Sequence, residues 1–159
     1  MTVNNTTVTF SQVDQEGWTS IIRREDLPPL PVPYLRVGSF YEIRTTAEVT
    51  GPATVAMSYA EGDVASAAEG HLAILHYDQG QAQWQNVTIS RDPAKNEVRG
   101  ELSALGLAGL ALPLPASHFT DVSSSALDPY WALWEIEAAY AAGIVSGYLD
   151  GTYHPEYPV

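Results

Sequence analysis

With cysteine absent, four histidines and nineteen acidic residues are the side chains best suited to acid–base or metal chemistry. His71, His76, His118 and His154 do not fall at His-x-x-x-His or any other metal-ligand spacing, and no thiolate can complete a zinc set. His71 and His76 are five apart, so on one strand they would point to opposite faces. Glu42, Glu48, Glu61 and Asp63 supply the carboxylates from which a glycoside-cleaving pair would be assembled. Charges on alternating strand positions are more simply a solvated face. There is no Gly-x-Ser-x-Gly elbow, and Gly106 and Gly109 have no phosphate-loop lysine beside them. Asp14, Asp63, Asp78, Asp92 and Asp150 sit among turn residues and are candidate Ca²⁺ ligands, but the EF-hand spacing is missing and turn chemistry accounts for them. The expectation is a chain that is not an enzyme, with no cofactor and no catalytic or metal residue.

The charge balance narrows the partners. Seven basic residues stand against nineteen acidic ones, a net charge of −12, and a field of that sign repels nucleic acid and anionic membranes. Lys95 is the sole lysine, and the arginines are scattered without a basic stripe. No nucleic-acid partner and no membrane insertion are expected. The first seven residues have neither the basic nor the apolar region of a signal peptide, and no apolar run is long enough for a membrane span. If the protein is exported, its signal is expected upstream of this piece.

The elements that must position these residues are mostly strands. From residue 1 to about 112, short β-type runs alternate with turn residues. In Tyr41–Val49 the set Tyr41, Ile43, Thr45, Ala47 and Val49 falls on one face and Glu42, Arg44, Thr46 and Glu48 on the other. Gly51-Pro52 reads as a turn into Ala53–Tyr59, giving an antiparallel hairpin. Further strands are expected at Val3–Phe10, Trp18–Ile22, His71–Tyr77, Gln83–Ser90, Asn96–Leu102 and Leu105–Leu112. Leu27–Pro33, with four prolines, reads as an extended crossover between sheets, or as a ligand for a proline-binding partner. Seven or eight such strands predict a mainly β fold, an immunoglobulin-like antiparallel β-sandwich.

After Leu112 the pattern changes. Residues 113–117 form a short linker, and a helix of about fourteen residues is predicted over 129–142. Asp128 would be its N-cap, Pro129 its first residue and Gly143 its stop. Ala132, Ile136, Ala139 and Tyr140 mark its apolar stripe, with Glu135 and Glu137 facing away. In the following loop Gly147 and Gly151 suit positive φ, Asp150 can bond its own downstream backbone, and Tyr148 and Tyr153 offer flat faces for packing or for a ligand.

Phe119-Thr120-Asp121-Val122, Trp131-Ala132, Ile136–Ala139, then Ala142 through Tyr153 with its Gly-Tyr-x-Asp-Gly-Thr-aromatic signature, and finally Pro155, resemble the S-layer homology (SLH) repeat in order and spacing. The domains expected are therefore a β-sandwich surface domain over 1–112, the linker 113–117 and a truncated SLH repeat over 118–159. The resemblance implies two helices joined by that loop, several repeats in a row, and binding of secondary cell-wall polysaccharide in grooves between repeats. It implies ligand-binding roles for Trp131, Tyr148, Asp150, Gly151 and Tyr153; the alternative is that these aromatics and glycines only build the repeat, which is the simpler account of Trp131 and Tyr153. The family's next element, a Thr-Arg-Ala-Glu-like helix start with a ligand-contacting arginine, does not follow, so no residue here takes that role. The β-region is similar, more weakly, to sandwich domains of bacterial surface proteins that serve as spacers or adhesive stalks.

The expected function is a non-catalytic module at the bacterial cell surface. It would space and anchor an exported protein to the envelope through cell-wall polysaccharide, and would do so only with complete SLH repeats. The alternative is a self-assembling surface-layer or filament subunit, whose exposed strands and single helix pair between chains. One amphipathic helix cannot bury its stripe alone. That helix is expected to dock on the β-domain, to pair with another chain or to be poorly ordered.

Overall fold

The computed structural model describes residues 2–157 apart from Asn4. Met1, Asn4, Pro158 and Val159 lie outside the described residues, and with them part of the first expected strand and the end of the repeat. Among the described residues ten strands form two antiparallel five-stranded sheets: β1 (Thr2–Val3), β2 (Thr6–Gln15), β5 (Glu48–Ser58), β9 (Glu97–Leu102) and β8 (Thr88–Asp92), in that order, and β3 (Thr19–Arg24), β4 (Tyr34–Thr45), β10 (Leu107–Pro113), β6 (Ala73–Asp78) and β7 (Gln83–Asn86). The single described α-helix, α1, covers Leu133–Ala141. The expected β-sandwich followed by a short helix is what the chain forms.

The two sheets enclose a core to which β2, β4, β5, β9 and β10 contribute Val8, Ile43, Val55, Val98 and Leu110, all buried. Tyr41 and Ile43 point into it, as their alternation predicts. The hairpin expected around Gly51-Pro52 does not form, because β4 and β5 belong to different sheets. The chain turns earlier. Thr46 donates its N–H to the Trp18 carbonyl (2.9 Å), and Ala47 donates to Thr45 Oγ1 (3.1 Å), so the run ends at Thr45. Gly51 and Pro52 lie inside β5 at an irregularity where the β2–β5 register shifts between Phe10 and Gln12. A proline is tolerated in a strand at such a bulge. The expected strand Gln83–Ser90 likewise divides at Val87 into β7 and β8, one in each sheet.

Leu27–Pro33 does not cross between sheets, since β3 and β4 are antiparallel neighbours in one sheet. It drapes over the outer face of that sheet. Leu27 and Leu30 pack there with Phe40, Leu75 and Leu107, and Trp84 Nε1 donates to the Pro29 carbonyl at 2.9 Å. Four prolines reduce the segment's freedom in the unfolded chain, which lowers the entropy lost on docking. This cover explains why Glu42, expected on the wet face, is 8% exposed. Its carboxylate is held by Arg24 Nη1 (3.0 Å) and Arg44 Nη2 (2.5 Å), as a buried charge must be.

α1 starts later than its N-cap signals predict. Tyr130 donates its N–H to the Ser123 carbonyl (2.8 Å), and Ser123 Oγ donates to the Asp128 carbonyl (2.7 Å), so Asp128–Trp131 is held in a turn instead of a first helical turn. The C-terminus matches expectation: Gly143 N–H bonds the Tyr140 carbonyl and Ile144 N–H the Ala139 carbonyl, both at 2.9 Å, a Schellman arrangement. The buried stripe is Leu133, Ile136 and Glu137. Glu137 thus faces inward, against expectation, where Oε1 accepts the His118 N–H (2.9 Å) and Oε2 pairs with the His118 ring.

Of the three fates expected for the helix, docking on the β-domain is the one found. Leu133 and Ile136 pack with Leu114, Phe119 and Val122, joined by Leu35 of β4. Trp134 packs against the main core and stacks on His71 with ring centroids 4.5 Å apart. Gly109→Ala tests the sheet packing, because a Cβ there would lie 2.3 Å from the Phe40 ring. It is expected to lower unfolding free energy by about 1–3 kcal/mol, read by urea denaturation.

Candidate functional site

The loop after α1 is built on backbone geometry. Gly147 has φ +67, and a Cβ on it would sit 2.3 Å from Phe119 Cε1. Only glycine lets the chain pass so close to that ring with this handedness. Tyr148 N–H bonds the Thr152 carbonyl (2.8 Å) and Gly151 N–H the Tyr148 carbonyl (3.0 Å), closing the turn. Asp150 Oδ1 accepts from Thr152 N–H (3.1 Å) and Thr152 Oγ1 (2.6 Å), the downstream bond its type predicts. These bonds, the Thr152 hydroxyl first, hold the Asp150 carboxyl below the ordinary aspartate range.

Four of the five sequence-predicted residues gather here. Asp150 and Gly151 shape the turn, and Gly151 returns its carbonyl to Thr120 N–H at 3.0 Å. Tyr153 packs on Phe119 with centroids 5.2 Å apart, whereas Tyr148 is 57% exposed with its ring against the His154 edge. Trp131 lines a separate groove together with Glu61, Glu69, Asn96 and Glu135, and it is 83% exposed. Of the five, then, Trp131 and Tyr148 present open aromatic faces, and the other three hold structure.

Asp121 was given no role by sequence, although it lies in the Phe-Thr-Asp-Val opening. It is the clamp of the loop: Oδ1 accepts Tyr153 N–H (2.8 Å) and Oδ2 accepts His154 N–H (2.7 Å). Desolvation raises its pKa, but these two backbone bonds outweigh that and hold the carboxyl below the usual range. The separation of more than thirty residues hides this pairing from any local motif.

The histidines are placed by packing. His71 lies in a short 3-10 turn (Glu69–His71) and not on the strand expected to carry it. His76 in β6 is 6% exposed, its Nε2 has no hydrogen-bond partner among the described residues, and burial lowers its pKa, with the Asp78 charge opposing. His154 Nδ1 lies 3.3 Å from Glu156 Oε1 and 3.9 Å from Asp121 Oδ2, so these three side chains converge as a possible cation set that spacing did not reveal. Asp121 already has both oxygens engaged by backbone N–H, and the hydrogen bond between the His154 ring and Glu156 accounts for the convergence. Glu42, one of the carboxylates considered for a glycoside-cleaving pair, is held by Arg24 and Arg44.

Comparison with known proteins places the C-terminal unit. Residues 118–159 match the family model of the S-layer homology domain. No curated protein and no solved structure matches the chain. An S-layer homology unit associates its protein with the cell envelope, and that coarse assignment rests on the segment matched. No described helix is long and apolar enough to cross a membrane.

Two measurements test the loop. Asp121→Ala is expected to speed amide hydrogen exchange at Tyr153 and His154 while the β-domain amides keep their protection. For Asp150, whose pKa is depressed on folding, the loop bonds persist above its unfolded pKa of about 3.9. They are lost as pH falls through the lower folded value. Carboxyl NMR should show its midpoint below that of an unstructured aspartate.

Proposed function

We propose that the chain is a non-catalytic surface module, in which a β-sandwich spacer (residues 1–112) and a linker (113–117) carry a wall-gripping unit (118–159). The observation that carries this reading is the S-layer homology match on a unit that folds against the sandwich through Leu35, Leu114 and Trp134. Such docking transmits load from sandwich to anchor without a free hinge. Secondary cell-wall polysaccharide is the proposed ligand, gripped when further repeats complete the groove. Trp131 and Tyr148 supply its stacking faces, and Asp150, Gly151 and Tyr153 hold the loop in shape. Localisation at the exported, extracellular face of the envelope follows from that partner.

A second reading, self-association into a surface layer or filament, draws on the exposed apolar residues Ile144 (78%) and Leu149 (110%) beside the loop, and on Trp18 (87%) near the β3 edge. Light scattering on a dilution series separates it, since the spacer reading expects a concentration-independent monomer.

Appending a second helix with the family's Thr-Arg-Ala-Glu-like start after Val159 is expected to make the chain sediment with cell-wall sacculi of a bacterium whose surface proteins carry this repeat. Sacculi stripped of their attached polysaccharide should not retain it. Equal retention on stripped and intact sacculi, or none on either with the fold intact, overturns the anchoring reading.

A further inference from the structure

At one end of the sandwich β10 begins only at Leu107, opposite Glu42 and Tyr77, so beyond that point no strand bridges β4 and β6. The gap is a cavity of about 560 Å³ between Ile43 and Arg44 of β4, His76 and Asp78 of β6, and residues 103–106, the connection from β9 to β10. That connection is lightly held. Ser103 and Ala104 are exposed, Leu105 is half-buried against the main core, and a backbone bond from Ile43 N–H to the Gly106 carbonyl (2.9 Å) ties it to β4.

His76 is shut in beneath this connection. Its Nε2 is sealed from water with no hydrogen-bond partner among the described residues, and it faces Gly106, on which a Cβ would lie 3.1 Å away. The residues beside His76 in the sheet, Ala108 of β10 and Gln85 of β7, bring no charge, and neither do residues 103–106. The phenol of Tyr41 stands across β10 in the same row, and Tyr77 points to the outer face. The charged groups at the cavity are Asp78, two residues on along the same face, and Glu42 and Arg44, which pair with each other on β4. Asp78 Oδ1 is taken by the N–H groups of Gly80 (2.8 Å) and Gln81 (3.1 Å), but Oδ2 holds only Gln85 Nε2, at 3.2 Å. A carboxylate oxygen accepts a second donor. Burial pulls the His76 pKa down, with the Asp78 charge opposing, because the sealed ring has nowhere to place an added proton's charge.

We propose that His76 is a proton-operated latch on this end of the sandwich: as a neutral imidazole it stays closed under Gly106, and as an imidazolium it swings into the cavity toward Asp78 Oδ2 and lifts residues 103–106 off β4. The cavity gives the ring room to move, and the open position gives both ring N–H groups a carboxylate or water, which the closed one does not. Opening breaks the Ile43–Gly106 bond and bares Leu105 at the end of the core. The other sheet, held by its own β5–β9 ladder, stays closed. The sign follows from linkage. The open state takes up its proton near the ordinary histidine value of about 6.5, whereas the closed state takes it up only at lower pH. The closed state is therefore fully favoured above about 6.5, loses up to about tenfold in population ratio per pH unit below it, and levels off once pH passes the folded value. The latch lies wholly within the β-domain and stands apart from the anchoring reading.

NMR on the whole chain tests it. The His76 ring signals should titrate with a midpoint below that of an unstructured histidine. Between about pH 7.5 and about pH 5 the amide protection factor of Ile43, corrected for intrinsic exchange, should fall about tenfold or more. Val55, in the middle of the other sheet, should keep its protection over the same range. His76→Gln, which takes up no proton there, should hold the Ile43 protection factor constant. Asp78→Asn keeps an oxygen for the turn but loses the charge, so it should lower the His76 midpoint further. The two measurements on the parent chain decide the matter even where a variant does not fold. A His76 midpoint at or above the unstructured value overturns the latch, as does Ile43 protection that stays flat in the parent or falls equally in His76→Gln. Loss of Val55 protection in step with Ile43 overturns it too, since that is acid unfolding of the whole domain. An Asp78→Asn midpoint that is unchanged or raised removes Asp78 as the receiving carboxylate and with it the proposed open position.

Discussion

The contact on which the arrangement depends is Trp134 laid on His71 at the rim of the sandwich core. A nine-residue helix is too short to persist by itself in water, so its stability must come from packing. Trp134 supplies that packing on one side, and Leu133 and Ile136 supply it on the other through Leu114 and Leu35. The indole Nε1 is buried without a partner among the described residues. Leaving such a donor unmet costs about 1–3 kcal/mol, which the buried ring area offsets. With the helix fixed, Phe119 is fixed, and with Phe119 the loop that passes over it at Gly147.

The β-domain answers the same constraint differently. Its second sheet is covered on both faces, by the opposite sheet and by the proline-bearing segment that Trp84 secures. β10 is buried along almost its whole length as a result. Glu42, caught beneath this cover, is paired with Arg24 and Arg44, which converge on it. Three independent clusters thus hold one chain: between the sheets, outside the second sheet, and beneath the helix.

This layering has a functional consequence. Residues that build the C-terminal loop and residues that remain available to a ligand separate cleanly. Asp150, Gly151, Tyr153 and the unforeseen Asp121 are engaged in hydrogen bonds or ring packing. Trp131 and Tyr148 are open. A groove bounded by two parts of the fold exists only because the helix docks where it does, so its chemistry is a property of the docked pair.

The sequence alone determined what is local. Alternation at Tyr41 and Ile43 assigned a strand face, Gly143 marked the end of the helix, and the Gly-Tyr-x-Asp-Gly-Thr loop carried its own turn chemistry within a few residues. Tertiary structure decided everything that depends on partners distant in the chain. It put the β4–β5 turn at Thr46 through the Trp18 backbone, turned the prolines of Leu27–Pro33 into a cover, buried Glu42 and Glu137, delayed the helix through Ser123, and brought Asp121 to Tyr153. Local propensities act within a turn or a strand period. Burial and hydrogen-bond satisfaction are settled only when the whole chain has chosen what covers what.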